Sequence, residues 1–266
     1  MQFDKITIND LDRLSPLQPP DWGSIIPAFK YYIEQPFCFP VKTTVNGDIA
    51  GIGAAIILDG TGWLAHIIVH PGHRNKGIGG AVTSHLMEIT RGQNCRTVSL
   101  IATDLGRPVY LKHGFADQEE YLFFEREAPL EGEIACSRIR SFTEGDRGAV
   151  LELDRRLSGE SRERLLHDKL QGSYIHLDQG KVDGYYLPEL GEGLVMAGNQ
   201  RAGLGLLRLK LSRSVKNVLP GGNKAGAAFM LQHGYRETKR AKRMVWGEGF
   251  PWCPEHMFGR IAGNLG

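Results

Sequence analysis

Arg74-Asn75-Lys76-Gly77-Ile78-Gly79-Gly80 sets two cations among three glycines where a strand pattern gives way to a helix pattern. Upstream, Trp63–Val69 is apolar and rich in β-branched residues, as suits a buried strand. Downstream, Val82, Leu86 and Ile89 recur at helical spacing. The turn therefore feeds a helix N-terminus, where the first N–H groups lack partners and the macrodipole favours negative charge. Glycines let the backbone approach an anion closely and adopt positive φ. Arg74 and Lys76 add positive charge. The expected chemistry is the holding of a phosphate-bearing group.

Two common phosphate loops are excluded by spacing. No Lys-Ser/Thr follows a second glycine as a P-loop requires. The dinucleotide fingerprint needs Gly or Ala three residues after Gly79, and Val82 stands there. What remains, Arg-x-x-Gly-x-Gly after a strand ending in Val-His-Pro, resembles the acetyl-CoA pyrophosphate loop of the GNAT superfamily of N-acetyltransferases. The chain downstream is similar too. After the strand Thr97–Ala102 come Thr103, Tyr110 and Gly114-Phe115, matching that family's order of a polar residue (often Asn), a short tyrosine-bearing helix and a Gly-Phe turn.

The resemblance implies a division of labour. Backbone groups of Arg74, Asn75, Lys76, Gly77, Ile78, Gly79 and Gly80 hold the pyrophosphate. Ile67, Ile68 and Val69 bind the pantetheine arm, and Thr103 completes the coenzyme site. In the family the two central strands splay after a bulge, freeing an N–H to polarise the thioester carbonyl. Tyr110 is the candidate acid: a phenol of pKa about 10 can protonate a thiolate whose acid has pKa about 8.5. Its other reading is a core tyrosine. The base is unassigned among His66, His70, His73, Asp104 and a water chain. His66 reads as a hydrogen-bonded strand residue, Asp104 as a helix cap, and His70 and His73 as facing solvent or phosphate.

The elements that must position these groups follow from turn signals. Phe3–Ile8 alternates weakly, and Asn9 is placed to cap a helix from Asp10. A helix is expected over Trp22–Glu34 after Pro-Pro-Asp. Asn46-Gly47-Asp48 between Val41–Val45 and Ile49–Leu58 predicts a hairpin. Gly51 and Gly53 inside the second strand signal a bulge or close packing. Tyr121–Glu125 is expected to close the sheet. Trp22, Phe29, Tyr31, Tyr32 and Phe37 read either as an acceptor pocket or as the core of the first helices.

The second half repeats the first in worn form. Asn223, Met230 and Gly234-Tyr235 follow Thr103, Tyr110 and Gly114-Phe115 at one constant interval. Gln200-Arg201-Ala202-Gly203-Leu204-Gly205 fits the glycine loop at an interval six residues longer; chance is an equal reading there. A helix is expected from Thr143 through Arg155, another over Ser161–Leu170, and a hairpin over Tyr174–Leu187. Met230 cannot donate a proton in the place of Tyr110.

Composition bounds the class. The chain has 266 residues, 41% hydrophobic and 23% charged, as in ordinary globular domains. No apolar run reaches membrane-spanning length, and Met1-Gln2-Phe3-Asp4 shows no signal-peptide pattern. Cys38, Cys95, Cys136 and Cys253 have no zinc spacing. These features predict a cytoplasmic protein with reduced thiols and no membrane partner. Residues 1–132 carry 11 Lys and Arg against 15 Asp and Glu, whereas 133–266 carry 21 against 15. The basic groups Arg208, Lys210, Arg213, Lys216, Lys239, Arg240, Lys242 and Arg243 read as a solvated face, since no nucleic-acid motif accompanies them.

The expectation is an α/β protein of two GNAT-like domains in tandem, each a mixed, mostly antiparallel sheet flanked by helices. Residues 1–130 form the acetyl-CoA-binding catalytic domain and 137–266 a degenerate copy, with a linker near Pro129–Cys136. The implied function is acetyl-CoA-dependent N-acetylation of a primary amine on a small molecule or peptide by direct transfer, without a metal or nucleic acid. The rivals are a non-catalytic acyl-CoA sensor or interaction module and, more weakly, a nucleic-acid binder.

Overall fold

Residues 38–69 resolve into antiparallel strands in the computed structural model, which describes residues 1–132 and 137–266. Cys136 and half of the expected linker lie outside the described residues. The chain divides into two compact units: Met1–Asp117 with Met244–Gly249, and Gln118–Arg243 with Phe250–Gly266.

In the first unit, β1 (Phe3–Lys5) pairs with β2 (Cys38–Val45), β2 with β3 (Asp48–Leu58) and β3 with β4 (Thr61–Val69), all antiparallel. Asn46 (φ 53°) and Gly47 (φ 87°) make the tight turn between β2 and β3, the primed geometry that suits strand twist. α1 (Ile26–Glu34) begins later than Trp22, with Pro27 in its first turn, where a missing N–H costs nothing. Thr7, not Asn9, caps the first helical turn, because Asp10 folds back onto the Thr7 N–H at 2.9 Å.

α2 (Ile78–Gly92) buries Ile78, Val82, Leu86, Thr83, Met87 and Thr90 as one stripe against the sheet. Gly51 and Gly53 of β3 let it come close. A Cβ on Gly51 would lie 2.7 Å from Ile78, and one on Gly53 2.9 Å from Leu86. β5 (Thr97–Ala102) runs parallel to β4, and α3 (Arg107–Lys112) follows.

Tyr121–Glu125, expected to close this sheet, does not stand beside β5. It belongs to β6 (Ala116–Glu125) and pairs with Lys216–Pro220 in the second unit. The place beside β5 goes to the last residues of strand Arg236–Gly247. Met244 is fully buried there, and Trp246 packs beside Gly114 and beneath Arg91. Contacts, not chain halves, thus define the units, which differ from a division at residues 130 and 137.

The second unit has a five-stranded sheet of β7 (Ile139–Ser141), β8 (Tyr174–Asp178), β9 (Lys181–Leu187), β10 (Leu194–Ala197) and, at the far edge, Met257–Gly259. α4 (Arg147–Ser158) follows a Thr143 capping box, and α5 is a single turn, Glu163–Leu166. α6 (Gln200–Leu211), β11 (Lys216–Pro220), α7 (Lys224–Gln232), β12 (Arg236–Gly247) and β13 (Met257–Gly259) complete it. The helix–turn ending repeats that of the first unit. Phe115 N–H donates to Tyr110 O at 3.1 Å, and Tyr235 N–H to Met230 O at 3.0 Å.

Gly247 holds the returning segment in the first unit. Its φ is +97°, and a Cβ there would lie 2.0 Å from the Arg96 carbonyl oxygen. Gly247→Ala is expected to lower unfolding stability by at least about 2 kcal/mol, read as a lower denaturant midpoint.

Candidate active site

The site starts from a miscount between β3 and β4. Ala54 pairs with Ala65 and Ile52 with Ile68, so His66 and Ile67 share the single position opposite Gly53. This is a β-bulge. His66 absorbs it with φ +48°, a conformation costing about 1–3 kcal/mol for a residue with a Cβ. Of the two readings of Gly51 and Gly53, a bulge or close packing, the close packing is met on β3 itself, while the extra residue stands on the partner strand.

Parallel pairing of β4 with β5 ends at Trp63–Ser99. Beyond it the edge of β4 facing away from β3 has no ladder as far as Val69. Ile67, Ile68 and Val69 therefore line an opening whose backbone groups are free to meet a ligand. Ile67 turns toward α2, since a Cβ on Gly53 would meet it at 3.3 Å. Strand alternation and the bulge send His66 to the α1 side.

The glycine turn closes the α2 side of this opening. Asn75 (φ 62°) and Gly77 (φ 78°) are left-handed, and Gly77 is the N-cap of α2. Arg74, Asn75, Lys76 and Gly77 are exposed, Ile78 is buried, and Gly79 and Gly80 are partly covered. Lys76 Nζ donates to Gly72 O at 3.1 Å, which braces the turn. The first turn of α2 carries no acidic residue, so nothing neutralises its positive end. A pyrophosphate fits this cradle. His70 caps the preceding turn through Nδ1, 3.1 Å from the Gly72 N–H. His113 lies at the opposite side of α2's first turn, where a Cβ on Gly80 would stand 3.6 Å from its Nε2.

Tyr110 is buried on α3, and burial pushes its phenol up to about 12. The ring sits over Gly106, where an added Cβ would lie 2.8 Å from Tyr110 Cε2 and 3.2 Å from its hydroxyl. Thr103 ties this turn together: its Oγ1 accepts the Gly106 N–H at 3.1 Å. Thr103, not Asp104, is thus the cap. Gly106 as the floor of the phenol escaped sequence reasoning. The repeat itself aligns Gly106 with Gly226, beside Thr103 and Asn223; the contact with the ring depends on the fold.

His66 is not placed as a base. Its Nδ1 shares a 2.9 Å hydrogen bond with the Tyr32 hydroxyl. Its ring is enclosed by Trp22, Phe29 and Tyr32, and burial pushes its pKa down to about 4.

The corresponding place in the second unit has no such cradle. Gln200–Gly205 is not a loop but the first turns of α6, because Asn199 caps that helix through the Ala202 N–H at 3.0 Å. Phe258 covers Gly203 so closely that a Cβ there would lie 2.1 Å from its ring. The basic residues of this half do not form one open face. Lys210 is buried and donates to Gly193 O at 2.8 Å, Arg243 is buried against Trp252, and Arg240 and Lys242 pair with Glu120. A cleft of about 470 Å³ between β1, β2 and His85 does not include the glycine turn or Tyr110. Among the described residues no His, Cys, Asp or Glu cluster could hold a metal, and no helix is long and apolar enough to cross a membrane.

The sequence model of the acetyltransferase (GNAT) family matches residues 9–115. Among curated proteins none matches the chain in sequence. A candidate acetyltransferase from Pyrococcus horikoshii is 19% identical with a TM-score of 0.80, covering 100% of this chain and 95% of that one. A GCN5-related N-acetyltransferase from Sphaerobacter thermophilus is 15% identical at 0.66, covering 94% and 98%. A tandem GNAT protein from the clavulanic acid pathway is 16% identical at 0.60, covering 93% and 98%. At these identities the likeness is one of fold: two such domains in tandem.

The His66 environment has a measurable consequence. Its pKa is lowered from the ordinary 6.5 to about 4 on folding, so between these values the unfolded chain binds the extra proton. Stability present above pH 6.5 is therefore lost as pH falls toward 4, by up to about 3 kcal/mol. Urea unfolding of His66→Gln is expected to show a shallower loss over that window than the parent chain.

Proposed function

Since the chain belongs to the GNAT acetyltransferases through residues 9–115, and is thus an acyl-CoA-dependent acyltransferase, we propose that it acetylates a primary amine of a small molecule or peptide by direct transfer. The observation that carries this reading is the bulge at His66. It opens β4 from β5 between the glycine turn and the α1 face. Acetyl-CoA, the family's acyl donor, supplies an activated acetyl group.

The chain's residues then have distinct tasks. The first-turn N–H groups of α2, with Arg74, Asn75, Lys76, Gly77, Ile78, Gly79 and Gly80, hold the pyrophosphate. The unpaired edge of β4 at Ile67, Ile68 and Val69 aligns the pantetheine arm and offers an N–H to the thioester carbonyl oxygen. Thr103 shapes the turn on the opposite wall. The amine attacks from the α1 side.

Tyr110 delivers a proton to the departing sulfur. Its raised pKa keeps the phenol protonated at working pH, the form an acid needs. Donation to an ordinary thiolate is uphill by about 5 kcal/mol, a gap that narrows because burial raises the thiol pKa too. The amine proton leaves through solvent in this scheme, since His66 stays neutral and engaged. Residues 1–130 are assigned the chemistry and 137–266 the role of a degenerate copy. Met230 and the Asn199-capped helix support that assignment. A cytoplasmic setting suits Cys38, Cys95 and Cys253, all free thiols.

Titration calorimetry with acetyl-CoA is expected to give one site per chain, lost in Gly77→Glu. Tyr110→Phe is expected to lower kcat by about 100-fold or more while leaving acetyl-CoA affinity within about twofold. Unchanged turnover in that variant removes Tyr110 from the chemistry. One binding site with no CoA release across an amine panel favours a non-catalytic sensor.

A further inference from the structure

The α1-side wall of the opening is built of rings. The centre of the His66 imidazole lies 5.9 Å from that of Trp22, 5.7 Å from Phe29 and 5.7 Å from Tyr32, each met edge-on or tilted. Phe29 and Tyr32 are buried at 0% and 1% exposure, whereas Trp22 is 37% exposed. A tryptophan that meets a buried cluster edge-on and keeps about a third of its surface exposed offers a surface for a flat apolar group. It stands beside the one strand residue of the site held in a left-handed conformation. Tyr32 fixes that residue by the 2.9 Å bond to Nδ1.

We propose that this wall is the acceptor subsite and that it takes a primary amine carried on an aromatic ring. The ring lies against Trp22. His66 orients the amine, and Tyr32 is a positioning residue that holds His66. The proposal rests on the acetyltransferase reading above and deepens it. The ring partners of His66 carry no charge, and burial keeps the imidazole neutral. A second cation or a carboxylate on the acceptor would lose hydration there without gaining a partner. An aromatic body gains ring contacts that an alkyl chain of similar length does not.

The test uses the full chain, acetyl-CoA and three amines: 2-phenylethylamine, hexylamine and putrescine, with CoA release as the readout. We expect kcat/KM for 2-phenylethylamine to exceed that for hexylamine by about fivefold to tenfold, and putrescine to be poorest. Trp22→Ala should raise KM for 2-phenylethylamine by about the same factor and raise that for hexylamine by clearly less, with Trp22→Phe restoring most of the loss. Tyr32→Phe should lower kcat for both monoamines without moving acetyl-CoA affinity by calorimetry. A merely structural role of Trp22 would affect both monoamines alike. Equal use of the two monoamines, preference for putrescine, or an equal effect of Trp22→Ala on both overturns the proposal. Binding of acetyl-CoA with no acetylation of 2-phenylethylamine overturns it too and leaves the family reading standing, whereas absence of acetyl-CoA binding removes both.

Discussion

One surplus residue in a strand organises the first unit of this protein. β4 carries His66 and Ile67 where β3 offers only Gly53, and the backbone resolves the mismatch by turning His66 left-handed. Pairing with β5 then lapses, and a slot opens inside what would otherwise be a continuous sheet. The bulge stays where it is for concrete reasons. Gly53 lacks a Cβ, so Leu86 and Val82 of α2 press directly on the strand behind it, while Tyr32 holds the His66 ring from the other face. Moving the extra residue one place along β4 would exchange the faces of its neighbours, setting the imidazole against α2 and an isoleucine among the rings.

The second unit shows what persists when such a slot is no longer needed. The helix-and-turn ending is retained almost bond for bond, with Gly234 (φ 77°) in the place of Gly114 (φ 83°). Asn223 still receives the Gly226 N–H, at 2.7 Å. These are folding devices, and either unit needs them. The groups proposed to touch a ligand in the first unit have packing residues in their places in the second: Met230 is a fully buried core residue, and Phe258 lies on Gly203. The scaffold has outlived the cradle because caps and turns stabilise a helix whatever its neighbour binds.

The legible part of this protein was what is local in sequence. The hairpin at Asn46-Gly47, the glycine turn into α2 and the Thr103-to-Phe115 run each follow from turn chemistry and periodicity within about a dozen residues. Their counterparts in the second half were legible for the same reason. Tyr32 meeting His66 was not, since it depends on the strand register and on a φ sign that no residue type announces at a histidine. At Gln200–Gly205, where a glycine loop and chance were equal readings, the structure takes the second, because glycines also mark close packing. Asn199 one position earlier was the better signal, a helix cap. The exchange of Tyr121–Glu125 for Met244–Gly249 beside β5 is a contest between distant segments, decided by burial of Met244 and Trp246 and not by pattern.

That exchange also fixes an order of events in the life of the chain. The first unit includes Met244–Gly249, so on the ribosome its sheet waits for the translation of nearly the whole sequence before its edge beside β5 is covered. Until then β5 exposes an open, apolar border to the cell, the kind of border that invites wrong partners. The closure also joins residues far apart in sequence, a costly loop to form and a slow one. A ribosome stalled inside the second half would thus release a first unit that is unfinished, although every residue proposed to touch acetyl-CoA has already been made.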